Sequence, residues 1–303
     1  MRGIWYVVPT PFDEQGELLT EDLEVLIRAS LEWGVDGLTV LGVMSEVATL
    51  TEAERSRVLD TIFRAAAGRL PIVVGCSATS AEIVIHRIRD ALAHGAIGAM
   101  VSAPPLFSDV DRLPTFFERV AAAGLPLVIQ DEPRATGVRI PTSLLLSSIQ
   151  QSGARVVKLE DPPTAPKIAA LVAADPELEV FGGLGGVAAL SELDHGAAGL
   201  MTGFAVPEIL RAIYDAWVVD DKALAATLFD RYLPLVMFEG QVGIGLGIRK
   251  EVLRRRGLIS SSHVRMSSAT ITDSIRRELG DIMVGSGLGF GQGRMKVPNP
   301  SGE

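Results

Sequence analysis

The sequence predicts a (β/α)₈, or TIM, barrel of the α/β class, extended at its C-terminus by further helices. Two observations predict it. Eight short apolar runs, rich in Val, Ile, Leu or Met and without polar alternation, recur at intervals of roughly 25–30 residues, as strands buried on both faces do. Between them lie amphipathic stretches with helix start and stop signals, and that alternation implies a parallel sheet wrapped by helices.

The predicted strands are Gly3–Val8, Gly37–Leu41, Pro71–Gly75, Gly98–Val101, Pro126–Gln130, Arg155–Leu159, Glu179–Gly182 and Gly199–Gly203. Among the helices, Thr20 opens Glu21–Trp33 and Gly34 closes it. Thr51 and Glu54 form a capping box at the head of Glu52–Ala67, with Gly68 as the stop. Ser80 opens Ala81–His94 before Gly95, and Asp111–Ala123 ends at Gly124. Pro141 and Pro207 stand near the starts of Thr142–Gln151 and Glu208–Val218. Three more helical stretches follow, Asp221–Glu239, Ile244–Arg256 and Ser267–Leu279. Because a barrel needs about 250 residues, they read as an appendage. The expected divisions are residues 1–218 for the barrel, 219–283 for a helical domain and 284–303 for a Gly-rich flexible tail. An open doubly wound sheet is the alternative, but no G-x-G-x-x-G opens the first helix. The glycine-rich Gly182–Gly186 follows the seventh run and reads as a tight turn or a phosphate cradle.

Composition narrows the function. The chain has 303 residues, 48% apolar and 21% charged, as globular proteins do. A net charge of −9 argues against a nucleic-acid partner. No apolar run is long enough to span a membrane, and no signal-peptide pattern opens the chain. The single cysteine, Cys76, suits a reducing cytoplasm.

In a barrel of this kind the chemistry sits where strands end. The polar residues there are Thr10, Ser45 and Glu46, Cys76, Ser77 and Thr79, Ser102, Gln130-Asp131-Glu132 with Arg134, Lys158 with Glu160 and Asp161, and Thr202. Lys158 stands out because lysine is unusual in an apolar strand such as Val156–Leu159. Burial penalises its ammonium form and frees the lone pair that a Schiff-base nucleophile needs. The alternative is a buried ion pair with Glu160 or Asp131. The other lysines, Lys167, Lys222, Lys250 and Lys296, read as solvated. Four carboxylates, Asp131, Glu132, Glu160 and Asp161, could hold Mg²⁺, but no His or Cys spacing marks a transition-metal site. No histidine closes a strand, which weakens a hydrolase triad. No metal or cofactor is expected.

Further residues make a pattern: Pro9-Thr10-Pro11-Phe12, Gly34-Val35-Asp36-Gly37, Leu50 through Arg55, Pro133 with Thr136-Gly137, Lys158 placed 25 residues after that proline, and Arg249-Lys250 to Gly257-Leu258. From about Ile4 to Met283 the chain thereby resembles the dihydrodipicolinate synthase / N-acetylneuraminate lyase family of Schiff-base-forming lyases. The resemblance implies a barrel with C-terminal helices, a homotetramer built as a dimer of dimers, and Lys158 as the lysine that condenses with a 2-oxo acid. It also exposes departures. The carboxylate-binding loop, Gly-Ser/Thr-Thr-Gly-Glu in the family, reads Gly42-Val43-Met44-Ser45-Glu46 here. The family's relay tyrosine is Gln130, and its tyrosine pair after strand four is Leu106-Phe107. The arginine expected before Thr136 is Ala135, with Arg134 one place away.

A glutamine amide cannot act as a general acid or base. The expected catalytic set is therefore Lys158, Gln130 and Asp131, with Asp131, Glu160 or a water moving protons. Thr10, Val43, Met44, Ser45, Arg134 and Thr202 are expected to bind a small-molecule carbonyl substrate, and a small carboxylate is expected to be held weakly by the Val43-Met44 loop. The implied activity is a Schiff-base lyase, aldolase or dehydratase acting on a 2-oxo acid or related carbonyl compound. The alternatives are an authentic dihydrodipicolinate synthase, or a catalytically silent paralogue that binds a carbonyl metabolite.

Overall fold

The computed structural model describes residues 1–105, 107–265 and 270–288. Eight parallel strands close in chain order into a barrel: β1 (Gly3–Val7), β2 (Gly37–Val40), β3 (Ile72–Gly75), β4 (Gly98–Ser102), β5 (Leu127–Asp131), β6 (Val156–Leu159), β7 (Glu179–Gly182) and β8 (Gly199–Thr202). Closure is made by β8 on β1, with Ile4 opposite Leu200 and Tyr6 opposite Thr202. All eight strands match the apolar runs to within a residue at each end.

The interior is filled by Trp5, Val7, Val73, Met100, Val128, Val156, Phe181 and Met201. Trp5 and Phe181 meet edge to face at 6.5 Å. This packing sets the inward face of every strand by alternation. Val128 points inward, so Gln130 does and Asp131 does not. Val156 points inward, so Lys158 and then Glu160 follow it. The outward residues Ile129, Val157 and Leu159 join the larger core under the helices.

The helices are α1 (Thr20–Ser30), α2 (Glu52–Ala66), α3 (Ala81–His94), α4 (Leu113–Ala121), α5 (Pro133–Thr136), α6 (Thr142–Ser152), α7 (Thr164–Ala174), α8 (Ala189–Asp194), α9 (Pro207–Val218), α10 (Lys222–Glu239), α11 (Gly245–Arg255) and α12 (Asp273–Gly285). The capping box at Thr51 and Glu54 forms as the sequence predicts, and Ser80 caps α3 through Ile83 N. Two starts differ. Thr20 is the first helical residue, not a cap, because Leu19 N is drawn to Pro11 O at 3.1 Å and turns the chain one residue earlier. The stretch predicted from Asp111 opens as a 3-10 turn, Val110–Arg112, and α4 proper starts at Leu113, with Pro114 in its first turn.

Beyond α9, α10 packs back on it and α11 crosses the mouth of the barrel, buried from Gly245 to Leu253. The last predicted helix begins later than expected, at Asp273, where Thr272 accepts from Ile275 N. It runs on to Gly285, into the stretch expected to be tail. Residues 267–269 of that prediction and 289–303 of the tail lie outside the described residues, as does Leu106. Among the described residues no helix is long and apolar enough to cross a membrane.

Candidate active site

The strand ends, the loop after β2, the loop after β7 and the start of α11 enclose a cavity of about 220 Å³. Lys158 forms its floor, 4% exposed. Its register neighbours on the flanking strands are Gln130 and Phe181. Lys158 Nζ stands 3.0 Å from Glu160 Oε2. The same oxygen accepts from Gln130 Nε2 at 2.7 Å. The other carboxylate oxygen, Oε1, accepts from Leu184 N at 3.5 Å. Glu160 is thus held between β5 and the loop after β7, over the amine.

That loop explains its glycines. A Cβ on Gly183 would sit 2.4 Å from Glu160 Cγ, so only a residue without a side chain allows the carboxylate to lie there. The run Gly182–Gly186 serves as a close-packed turn in this structure, and its Leu184-Gly185 segment lines the cavity.

The expected binding residues divide into two groups. Val43, Met44, Arg134 and Thr202 line the cavity. Thr10 and Ser45 do not. Thr10 Oγ1 donates to Ser45 O at 2.8 Å, and Ser45 Oγ donates to Val8 O at 2.6 Å. Both are buried beneath the β2 loop, and their hydroxyls fix the backbone of the loop instead of facing a substrate.

Asp131 is also corrected. Alternation sends its side chain outward, where its Oδ2 lies 2.5 Å from Lys167 Nζ on α7. Burial raises the carboxyl above its ordinary range, while Lys167 opposes that shift. The carboxylate that lies beside Lys158 is that of Glu160, not Asp131. The lysine environments are corrected with it: Lys167 is largely buried between Asp131, Asp161 and Ile140 O. Lys250 is fully buried, 2.5 Å from Glu46 Oε1 and 2.8 Å from His263 O.

Three other cavity residues lie outside the expected catalytic and binding sets: Glu132, considered only as a strand-end carboxylate, and Glu239 and Arg249. Glu132 is half-buried, caps Ala135 N with its carboxylate, and is raised in pKa by burial and by the charge of Glu160. Glu239 and Arg249 come from α10 and α11 and are joined at 3.4 Å. Burial pushes the Glu239 carboxyl up to about 7 against the pull of Arg249. Glu160 was legible, because Lys-x-Glu on a strand places both side chains on one face. Nothing in the local pattern around Arg249 connects it to β2 or β7. A larger surface groove, about 460 Å³ along Arg139–Thr142 and Asp161–Lys167, lies outside the barrel, and its charged groups pair with one another. Among the described residues no cluster of three His, Cys, Asp or Glu could hold a metal ion.

This arrangement places a buried amine 3.0 Å from a carboxylate, the pairing that a nucleophile with a proton carrier requires. Comparison with known proteins identifies the family. Residues 1–284 match the dihydrodipicolinate synthetase family. An L-2-keto-3-deoxyarabonate dehydratase of Azospirillum brasilense is 31% identical over 288 residues, 92% of each chain. A 4-hydroxy-tetrahydrodipicolinate synthase of Porphyromonas gingivalis is 27% identical over 279 residues, covering 90% of this chain and 93% of that one. A crystal structure of dihydrodipicolinate synthase from Rhodopseudomonas palustris superposes with a TM-score of 0.88 at 31% identity, over 94% of this chain and 97% of that chain. With the lysine, the closed barrel and the C-terminal helices in place, the chain belongs to the dihydrodipicolinate synthetase family and is a lyase that acts on a carbonyl substrate through a Schiff base.

Proposed function

We propose that the protein dehydrates a hydroxylated 2-oxo acid, with Lys158 as the nucleophile and Glu160 as the proton carrier. The observation that carries this reading is the 3.0 Å approach of Glu160 Oε2 to Lys158 Nζ, at a strand end where Gln130 replaces a titratable hydroxyl. The amine adds to the 2-oxo carbon and water leaves, giving the imine. The imine acidifies the C3–H bond, and Glu160 takes that proton while the electron pair enters the enamine. The enamine then expels the C4 hydroxyl, which leaves as water with the proton returned by Glu160. Hydrolysis of the unsaturated imine releases product and restores Lys158. No oxidant is consumed.

Gln130 orients Glu160 through its amide and exchanges no proton itself. A single carboxylate that serves both the C3 proton and the leaving hydroxyl fits elimination. The dehydratase named among the relatives supports the same choice. Condensation of pyruvate with a second carbonyl compound, the reaction of the synthases, is the second reading. The loss of hydroxyls at Val43, Phe107 and Gln130 opposes it. A homotetrameric assembly in the cytoplasm completes the proposal, and sedimentation of the purified protein tests the assembly.

The functional test compares two assays on one preparation. Elimination from a 3-deoxy-2-oxo aldonic acid is expected, and it is lost in Lys158→Ala. Robust condensation of pyruvate with aspartate semialdehyde, without elimination, would reverse the choice.

A further inference from the structure

The cavity over Lys158 has a cation on its wall that the reaction outlined above leaves unused. Arg249 projects from α11 at 8% exposure. Its guanidinium lies between two loops. Nη1 donates to Met44 Sδ, and Nη2 is 2.8 Å from where a side chain on Gly185 would begin. Behind it stands Glu239, with 3.4 Å between Arg249 Nε and Glu239 Oε2.

These partners are poor ones for a buried charge. A thioether carries no charge, and 3.4 Å is long for a charge-assisted hydrogen bond. Neither Arg249 Nε nor Glu239 Oε1 has a hydrogen-bond partner. Burial opposes the charge on Glu239 and pushes its carboxyl up to about 7. A buried guanidinium with weak acceptors on a cavity wall calls for an anion.

A 2-oxo acid brings one. Its carboxylate must exchange water for a partner on entering the cavity. Lys158 is engaged at the carbonyl carbon, and Glu160 repels an anion. Arg134 lines the cavity but is exposed, so water competes for it. Arg249 is buried, and Gly185 leaves one edge of its guanidinium open. We propose that Arg249 binds the carboxylate of the 2-oxo acid, supplying from α11 the donors that Val43 and Met44 do not. The assignment rests on the Schiff-base reading for the identity of the acid, and it replaces the expectation that this site holds a small carboxylate weakly.

Two arms test it. In the first, borohydride trapping is titrated with pyruvate and with methyl pyruvate, which has no free carboxylate. Arg249→Gln is expected to raise the half-saturating pyruvate concentration roughly 10–100-fold and to leave that for the ester within about twofold. Arg249→Lys keeps the charge but not the fork, and is expected to lose a smaller factor for pyruvate alone. It carries the test if the glutamine variant does not fold. An unchanged pyruvate titration, or an equal loss for acid and ester, overturns the proposal. The second arm needs no imine. In Lys158→Ala, pyruvate is expected to raise the melting temperature, and adding Arg249→Gln is expected to abolish that rise. No rise in Lys158→Ala, or a rise that survives the second substitution, also overturns it. If wild type is never trapped while this arm behaves as expected, the Schiff-base reading fails and the carboxylate site stands.

Discussion

Lys158 and Glu160, two residues apart at the end of β6, meet inside the barrel with 3.0 Å between Nζ and Oε2. A Lys-x-Glu spacing on a strand produces that meeting, because alternate side chains share a face. The pair answers the loss of the relay hydroxyls, since a carboxylate beside the amine can move the protons that Gln130 cannot.

Glu160→Gln separates those roles. The variant keeps an acceptor for Gln130 and loses the titratable group. Its kcat is expected to fall roughly 10²–10⁴-fold, while borohydride still traps an adduct at high substrate concentration. Turnover within a few-fold of wild type would remove Glu160 from the chemistry.

Gly183→Ala tests the same geometry from the other side. The added Cβ would fall 2.4 Å from Glu160 Cγ, so the carboxylate must move. Overpacking of this kind costs about 1–3 kcal/mol, and kcat is expected to fall more than KM rises. Steady-state kinetics and urea unfolding measure both. Unchanged kinetics would show that the position of Glu160 is not critical.

Much of this architecture is legible in the sequence, for physical reasons. Strands buried on both faces declare themselves as unbroken apolar runs, the Thr51–Glu54 box opens α2 and Gly95 caps α3, while α1, α2 and α4 end two to four residues before the glycines expected to stop them. Lys158 stands out in the sequence as a lysine in an apolar strand, but its inward direction follows only from Val156 in the interior. Asp131 could not be placed, because either Gln130 or Asp131 could face inward until Val128 was seen in the interior. Thr10 and Ser45 looked like substrate donors because sequence shows a hydroxyl but not what it is bonded to. Arg249, Glu239 and Lys250 were missed for a different reason: their partners Met44, Ala205 and Glu46 are far away in the chain. A lysine in an amphipathic helix reads as solvated until the barrel mouth is placed against it.

Lys250 therefore provides a stability prediction. It is fully buried on Glu46 Oε1 at 2.5 Å and on His263 O at 2.8 Å, joining α11 to the loop after β2. Lys250→Met is expected to lose roughly 3–5 kcal/mol, because one half of a buried ion pair is left behind. Urea unfolding measures it. A loss below about 1 kcal/mol would mean that the pair does not tie α11 to the barrel.

Glu192 provides a pH prediction. It is buried, accepts from Thr164 Oγ1 at 2.7 Å, and leaves Oε2 without a partner. Burial pushes it up to about 7. The folded state therefore holds its proton more tightly than the unfolded chain. Its contribution to stability is full below the unfolded value near 4.5 and is lost as pH rises through about 7. The loss is on the order of 3 kcal/mol. Glu192→Gln is expected to flatten the fall in melting temperature between pH 5 and pH 8. An equally steep fall in the variant would show that Glu192 ionises freely.

The most direct measurement is intact mass and peptide mapping after borohydride reduction in the presence of a 2-oxo acid. One adduct per chain is expected, on Lys158, with the mass of the acid less one oxygen, and none in Lys158→Ala. An adduct on Lys167 or Lys250 in its place, or none with any 2-oxo acid under conditions of full turnover, would contradict that expectation.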